Sequence, residues 1–464
     1  MAAPSYSIAG AQKMPLQTRI VGCTGHQFIT EKIFTVAMLF YTTGAVVPLI
    51  SGAHDPSAPP QTSPMDLAIK VVLYTIAFFF IALRWRSFVQ SVWNIKWILV
   101  PVLIAIVSTV WSQYPSFTVR GSAVLLATTA FGVYFGVRYT IPQQLRLLAW
   151  AFFFVLIISF FFAIFIPMYG IDGGSNSGDW RGAFLYKNVL AEIAVLAFLV
   201  FLFVRPRTSR SLRWFGIAAS LALLFLSGSA TGIIVCFAIV ATLPLYKLAH
   251  ARWTLVIPVT LGLSLLLAGS LLVMKTGAAE SLQLMNRGPD LTGRTELWNA
   301  VLISISKRPW LGYGFSAFWE GMNGESESVL KAAGWMAGYA HDGFLDLLLQ
   351  LGFLGLVTFV AGYLVLWRRA LAFLSRATGP APLWLCAFLA FMLLYNLTEG
   401  SSILAQNTIY WILYIAAAVN LIPVSSRQAD TKANQGGQQT PRHISVKYSC
   451  TVLARNKPTI KVNQ

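Results

Sequence analysis

Charge is scarce along this 464-residue chain, and negative charge scarcest of all. Charged residues make up 11%, with 16 Asp and Glu against 34 Lys and Arg. Soluble domains carry roughly a quarter of their residues as charged groups, so that class is excluded. Cysteine is rare as well. Cys23 and Cys450 fall near the two ends, and Cys236 and Cys386 fall within long apolar runs. That leaves neither an external disulfide framework nor a thiolate metal site. The first 32 residues lack an apolar stretch flanked by a cleavage site, so a removable signal peptide is not expected. No short-period repeat is evident. The net charge of +18 is spread over connections and a basic C-terminal stretch, with no compact basic module, which argues against nucleic acid as a partner.

Apolar sequence is what the chain has in abundance: 56% of residues are hydrophobic and the mean hydropathy is +0.66. A bilayer core needs about 20 mostly apolar residues per helical span. Runs of that kind lie near 33–51, 67–83, 97–112, 119–137, 146–167, 185–204, 213–227, 230–247, 253–274, 343–366, 383–396 and 403–422. They predict an all-α polytopic membrane protein with about 12 transmembrane helices.

The connections predict its orientation. Basic residues cluster in the even-numbered ones: Arg84, Arg86 and Lys96; Arg138 and Arg146; Arg205, Arg207, Arg210 and Arg213; Lys247 and Arg252; Arg368, Arg369 and Arg376. By the positive-inside rule these and both termini are cytoplasmic. Acids divide the other way: Glu31 and Asp430 fall in the tails, Glu192 falls inside a span, and the rest lie on or near the outer side. The expected organisation is a cytoplasmic tail over 1–32 and nine spans over 33–274. A large periplasmic loop over 275–342, three spans over 343–422 and a disordered basic tail over 423–464 complete it.

Basic residues on the translocated side call for a reason. Arg181 stands in GDWRGAFLYKN, with Tyr186, Lys187 and Asn188 entering the next span, and Arg294 stands in PDLTGRTELW. Guanidinium groups grip phosphate through paired, charge-assisted hydrogen bonds, best where water is partly excluded. Two of them at a membrane–water boundary suit a lipid-linked diphosphate. The plainer alternative pairs Arg181 with Asp179 or a headgroup, and Arg294 with Asp290 or Glu296. After Arg294, Leu297, Val301, Leu302 and Ile305 recur at helical spacing, as an interfacial amphipathic helix or a packed extracellular one. Either way Arg294 falls at or just before a helix N-terminus, where the dipole favours an anion. In WLGYGFSAFW, Gly312 and Gly314 read as a turn rather than a phosphate loop.

Histidine narrows the choice of base. Of five, only His54 and His341 lie outside, and His54 sits in a loose Pro/Ser segment. His341 opens the tenth span in AHDGFLDLLLQLGFLGL, where it could trade a proton or hold a sugar hydroxyl. Alternatively it only neighbours Asp342, a good helix cap. One His with Asp342 and Asp346 does not make a metal constellation. Glu399, in NLTEGSS before the last span, has no basic residue beside it in sequence. Partial burial would raise its pKa and suit it to general base catalysis, against the reading of a solvated loop acid. Glu192 lies about one turn below Lys187, with which it could pair, or could make a polar contact inside the bundle.

Taken in order, RGAFLYKN with Arg181 and Asn188, GRTELW followed by PWLGYGF, and His341 with Gly352 and Gly355 behind it make the chain resemble the O-antigen ligase / polysaccharide polymerase superfamily. The nearest resemblance is to bacterial exopolysaccharide polymerases of the Wzy type. It runs from about 30 to 425 in span layout and is most specific over 170–360. The family's usual Asn after the histidine is Asp342 here, so a side-chain amide role at that position is not carried over. The resemblance implies a membrane glycosyltransferase of GT-C-like architecture in the bacterial inner membrane. It implies an undecaprenyl-diphosphate-linked glycan donor, a lipid-linked acceptor, and no cofactor or metal. Chain-length regulator and export proteins of the same route are the implied protein partners. On that footing His341 is the expected catalytic base with Glu399 the second candidate for that role, Arg181, Arg294 and Lys187 are the diphosphate ligands, and Tyr186, Asn188, Asp342 and Trp298 the supporting residues. A ligase moving a finished glycan to a lipid A core or a protein shares the donor chemistry. A transporter or flippase would instead need broken helices in paired halves, or a midplane path for which Glu192 is the candidate.

Overall fold

Proline stands in the first turn of helix after helix in this chain, where its missing N–H costs nothing and its fixed φ suits the helix. The computed structural model describes residues 25–45, 47–51, 63–173, 178–205, 210–248, 293–377, 379–400 and 402–422. Proline-led helices are α3 (Pro64–Ala82), α5 (Val100–Val107, continued by a 3-10 turn to Val110), α6 (Pro115–Arg138), α7 (Ile141–Phe165), the short α8 (Pro167–Gly170) and α15 (Pro380–Asn396). The others are α1 (Gly25–Tyr41), α2 (Val47–Ser51), α4 (Trp85–Asn94), α9 (Lys187–Phe203), α10 (Arg210–Leu226) and α11 (Ala230–Leu248). Then come α12 (Gly293–Lys307), α13 (Glu325–Ala333), α14 (Gly343–Arg376) and α16 (Ile409–Asn420). Among the described residues the only β feature is an isolated antiparallel bridge between Ile171 and Trp180. All but Ile422 belong to one unit, Met1–Leu421.

Among the described residues four helices are long and apolar enough to cross a membrane: α3, α6, α7 and α14. Shorter apolar helices lie at Val100–Val110, Ala230–Pro244, Pro380–Asn396 and Ile409–Asn420. The described residues are therefore helical with no strand beyond that isolated bridge, and multi-pass in character. The span at 253–274, the start of the 275–342 loop and the 423–464 tail fall outside the described residues. Residues 25–32, expected in a tail, are helical instead. Glu31 is buried there, in ion pairs with Arg84 Nη1 at 2.9 Å and Arg138 Nε at 3.0 Å, and it accepts a 2.6 Å bond from Tyr134. The acid that looked like a tail residue ties α1 to the end of α3 and to α6.

Burial sorts the helices into a centre and a rim. From Leu190 to Phe201 α9 is buried throughout, as are α15 over Trp384–Met392 and α16 over Ile409–Val419. The rim shows lipid-type surface: α7 exposes Trp150, Phe154, Ile157 and Phe161 along one helical stripe, and α3 exposes Val71, Val72, Phe78 and Phe79. α6 and α16 approach closely through Gly132 and Gly136, where added Cβ atoms would lie 2.9 Å and 2.8 Å from the Cβ atoms of Ile415 and Val419. Small residues four apart serve this purpose between membrane helices.

The described part of the long loop has its own core. Leu297, Val301 and Ile305 of α12 are buried with Tyr313, Phe318, Val329 and Leu330, while Leu302 points outward. So α12 is packed along an inward stripe, and its outward face carries the exposed Leu302 and Ile303. The loop is stitched onto α14 where Gly352 (φ 61°) interrupts that helix. Phe353 and Leu354 N–H groups donate to the carbonyls of Pro309 and Trp310, at 2.8 and 3.2 Å. In return Tyr313 and Gly314 donate to Leu349 and Gln350, at 2.8 and 2.9 Å. The Gly312–Gly314 segment, with positive φ at both glycines, follows a turn at 309–311 and satisfies backbone groups that the break would orphan.

The Glu31 cluster yields a stability prediction. Glu31→Ala leaves two half-buried guanidinium groups without their carboxylate, and breaking such a buried pair costs about 3 kcal/mol. A clear drop in the unfolding midpoint in detergent is expected. An unchanged midpoint would contradict this account of the α1 contact.

Candidate functional site

Two glycines bring together the elements that build the site. The N-terminus of α14 and the 397–408 link between α15 and α16 press against each other. A Cβ at Gly343 would lie 2.1 Å from Asn396 Oδ1, and one at Gly400 would lie 2.5 Å from the Gly343 nitrogen. With no side chain at either position, His341 and Glu399 can meet. His341 Nδ1 lies 3.1 Å from Glu399 Oε2.

Glu399 gathers the rest. Arg294, in the first turn of α12, forms an ion pair through Nη2 with Glu399 Oε1 and donates from Nη1 to the Thr398 carbonyl at 3.1 Å. Asn188, in the first turn of α9, donates from Nδ2 to the same Oε1 at 3.0 Å. Burial, the largest influence on the Glu399 carboxyl, would raise its pKa. The hydrogen bond to His341 and the charge of Arg294 outweigh it and hold the group below the usual carboxylate value. This corrects the expectation of a raised, base-competent Glu399: its basic partners come from distant segments that the local sequence does not show. An ionised carboxylate only accepts hydrogen bonds, so His341 Nδ1 is the donor in this pair and Nε2 is left facing away from it. The arrangement joins an imidazole to a carboxylate placed to orient it.

The surroundings of His341 are aromatic. The Tyr339 ring lies 4.0 Å from the imidazole, centroid to centroid at 33°, and Trp335 lies 5.5 Å away at 53°. Asp342 caps α14 by accepting from the Phe344 and Leu345 N–H groups, both at 2.9 Å. Trp298 donates to the Ala340 carbonyl at 2.8 Å. Both supporting residues therefore act on the chain around the histidine. Among the described residues no group of three or more His, Cys, Asp and Glu side chains is placed to hold a metal ion.

The other expected anion ligands stand on the neighbouring 178–187 segment. Arg181 donates from Nε to the Tyr169 carbonyl at 2.9 Å and from Nη2 to Met168 at 3.1 Å, clasping the end of α8 rather than Asp179. Asp179 pairs instead with Lys187, at 2.8 Å. Lys187 is thereby engaged away from Glu192, whose buried Oε1 has no hydrogen-bond partner. Tyr186 is exposed beside them. Arg294, likewise, pairs with neither Asp290 nor Glu296 but with an acid 105 residues away. Sequence reasoning missed the Thr398 carbonyl and the Tyr339 ring. The neighbouring glycines in HDG and TEG were the available signal for close approach.

Comparison with known proteins adds a second line. Residues 215–360 match the profile of the O-antigen ligase family. A 123-residue stretch is 31% identical to the O-antigen ligase of Pseudomonas aeruginosa, covering 26% of this chain. The match spans 27% of the length of that relative. Arg294 and His341 fall inside the profile's range, while Asn188 and Glu399 fall outside it and are brought in by the fold.

The Glu399 contacts predict a pH signature. A carboxyl held below its ordinary 4.5 adds stability that is complete above that value and lost as pH falls through the lower folded value. Glu399→Gln should therefore be less stable than the parent at neutral pH and show a flatter acid limb in unfolding midpoint against pH. Parallel curves for the two proteins would contradict the assignment.

Proposed function

We propose that this chain, a member of the O-antigen ligase / Wzy superfamily, is a glycosyltransferase that extends a polyprenyl-diphosphate-linked glycan at the outer face of the bacterial inner membrane. Both termini would be cytoplasmic. The observation that carries the reading is the joining of Arg294, Asn188 and His341 through one buried carboxylate. It sets a cation suited to an anionic leaving group within one carboxylate's width of a base suited to a hydroxyl.

In the proposed step an acceptor hydroxyl oxygen bonds to the anomeric carbon as its proton passes to His341 Nε2. The anomeric C–O bond breaks, and its electron pair leaves on the lipid diphosphate. Attack opposite the leaving group inverts the anomeric centre. Charge grows on the diphosphate as the bond breaks, and the guanidinium groups of Arg294 and Arg181 stabilise it, with Lys187 beside them. Thr398 and Glu399 engage only part of Arg294's five-donor fork, and the remainder supplies bonds to phosphate. Glu399 keeps the proton on Nδ1 and steadies the imidazolium that forms. Its role in this account is orientation rather than proton abstraction.

The acceptor separates two readings. We favour a second lipid-linked repeat, which makes the protein an exopolysaccharide polymerase. The ligase reading, with a lipid A core as acceptor, draws support from the name of the Pseudomonas aeruginosa relative. Purified protein incubated with polyprenyl-diphosphate repeat units, without nucleotide sugar, should yield a ladder of longer lipid-linked chains. Product formed only when core lipid is added would favour the ligase.

Loss of one charged donor to a developing oxyanion lowers turnover by about 100-fold. Arg294→Ala and Arg181→Ala should each approach that loss at unchanged protein level. If Arg181→Ala leaves product amount and chain length unaltered, the two-arginine clamp is wrong.

A further inference from the structure

His341 adopts a backbone conformation with φ 54°, in the left-handed region that residues with a side chain seldom enter. Such a conformation persists only where its surroundings over-determine it. Here the peptide just before the histidine is gripped at both ends. The Ala340 carbonyl accepts from Trp298 Nε1 at 2.8 Å, and the Ala340 N–H donates to Asp346 Oδ1 at 3.0 Å. Trp319 Nε1 donates to the same Asp346 oxygen at 2.8 Å. On the far side of the histidine, Asp342 holds the first turn of α14. His341 is the hinge between two fixed points.

Asp346 is the unusual member of this set. It is a buried acid in the first turn of α14, at a position where an apolar residue would satisfy the packing. Burying a carboxyl is costly unless hydrogen bonds compensate. Its compensation comes from two N–H groups on separate parts of the long loop, one of them on the peptide that enters His341. We propose that Asp346 is a positioning residue for His341: its carboxyl oxygen fixes the Ala340 peptide, which holds the histidine in its left-handed conformation with Nδ1 aimed at Glu399. The inference rests on the reading of His341 as the group that takes the acceptor's proton. It adds a requirement for an oxygen acceptor at 346 that this reading alone does not contain.

The conservative variant separates positioning from general packing. Asparagine keeps an oxygen that can accept both N–H groups, whereas alanine and leucine keep none. A misplacement of about 1 Å in a reacting group can cost about 100-fold in rate. Asp346→Ala should therefore lower kcat by about 10- to 100-fold, with KM for the polyprenyl-diphosphate-linked substrate within about 2-fold of the parent. Asp346→Asn should recover kcat to within about 3-fold, because the acceptor oxygen is restored. Asp346→Leu, which fills the volume, replaces the alanine variant if that protein does not accumulate. Trp298→Phe, which removes the N–H donor together with part of the ring, should lower kcat by at least a few-fold through the same peptide, roughly the worth of one hydrogen bond.

His341→Ala is measured alongside. If it keeps turnover, both the base reading and the positioning proposal fall. If it abolishes turnover while Asp346→Ala or Asp346→Leu keeps the parent kcat, only the positioning proposal falls. An asparagine variant as impaired as alanine, or a loss confined to KM, overturns the proposal as well.

Discussion

Glu399 is an ionised carboxylate enclosed by protein, and the arrangement around it follows from the need to satisfy that charge. Desolvation alone would neutralise it. Its charge survives because a guanidinium, a carboxamide and an imidazole converge on it from α12, α9 and the N-terminus of α14. Each partner is constrained in return. Arg294 is drawn to the 398–399 segment, Asn188 fixes the start of α9, and His341 is oriented through its Nδ1. Removing the carboxylate would leave a half-buried cation without its counter-charge, a change that destabilises strongly.

Around that carboxylate the fold acts chiefly by permitting close approach. Gly343 and Gly400 let the α14 N-terminus and the α15–α16 link touch. Gly352 breaks α14 so that the 309–314 segment can exchange backbone hydrogen bonds with it, fastening the long loop to the bundle. Trp298 and Asp346 then secure the peptide leading into His341. These devices stand on different elements, yet all of them limit the freedom of the imidazole relative to Glu399. In the transfer reaction proposed above, such restraint would serve to place a hydroxyl against an anomeric carbon.

Hydropathy made the membrane character legible, since the apolar runs near 67–83, 119–137 and 146–167 correspond to α3, α6 and α7. The position of Arg294 at a helix start was legible too, because it depends on local pattern. Pairings across the chain were not. Arg294 finds its acid at Glu399, Lys187 takes the Asp179 offered as one alternative partner of Arg181, and Glu31 is a buried cross-link to Arg84 and Arg138. In each case the local sequence shows the charge but not the partner that tertiary packing delivers. The misread pKa direction of Glu399 has the same origin: burial could be anticipated, whereas the cation and imidazole that overcome it could not.

The central claim is that Glu399 and His341 act as one unit in the transfer step. A double-mutant cycle on kcat/KM with a polyprenyl-diphosphate-linked donor tests it most directly, using His341→Ala, Glu399→Gln and the two combined. Residues that work only together give a double variant no worse than the poorer single variant, and that is the result predicted. Losses that multiply would mean that the carboxylate and the imidazole contribute separately, and would contradict the account.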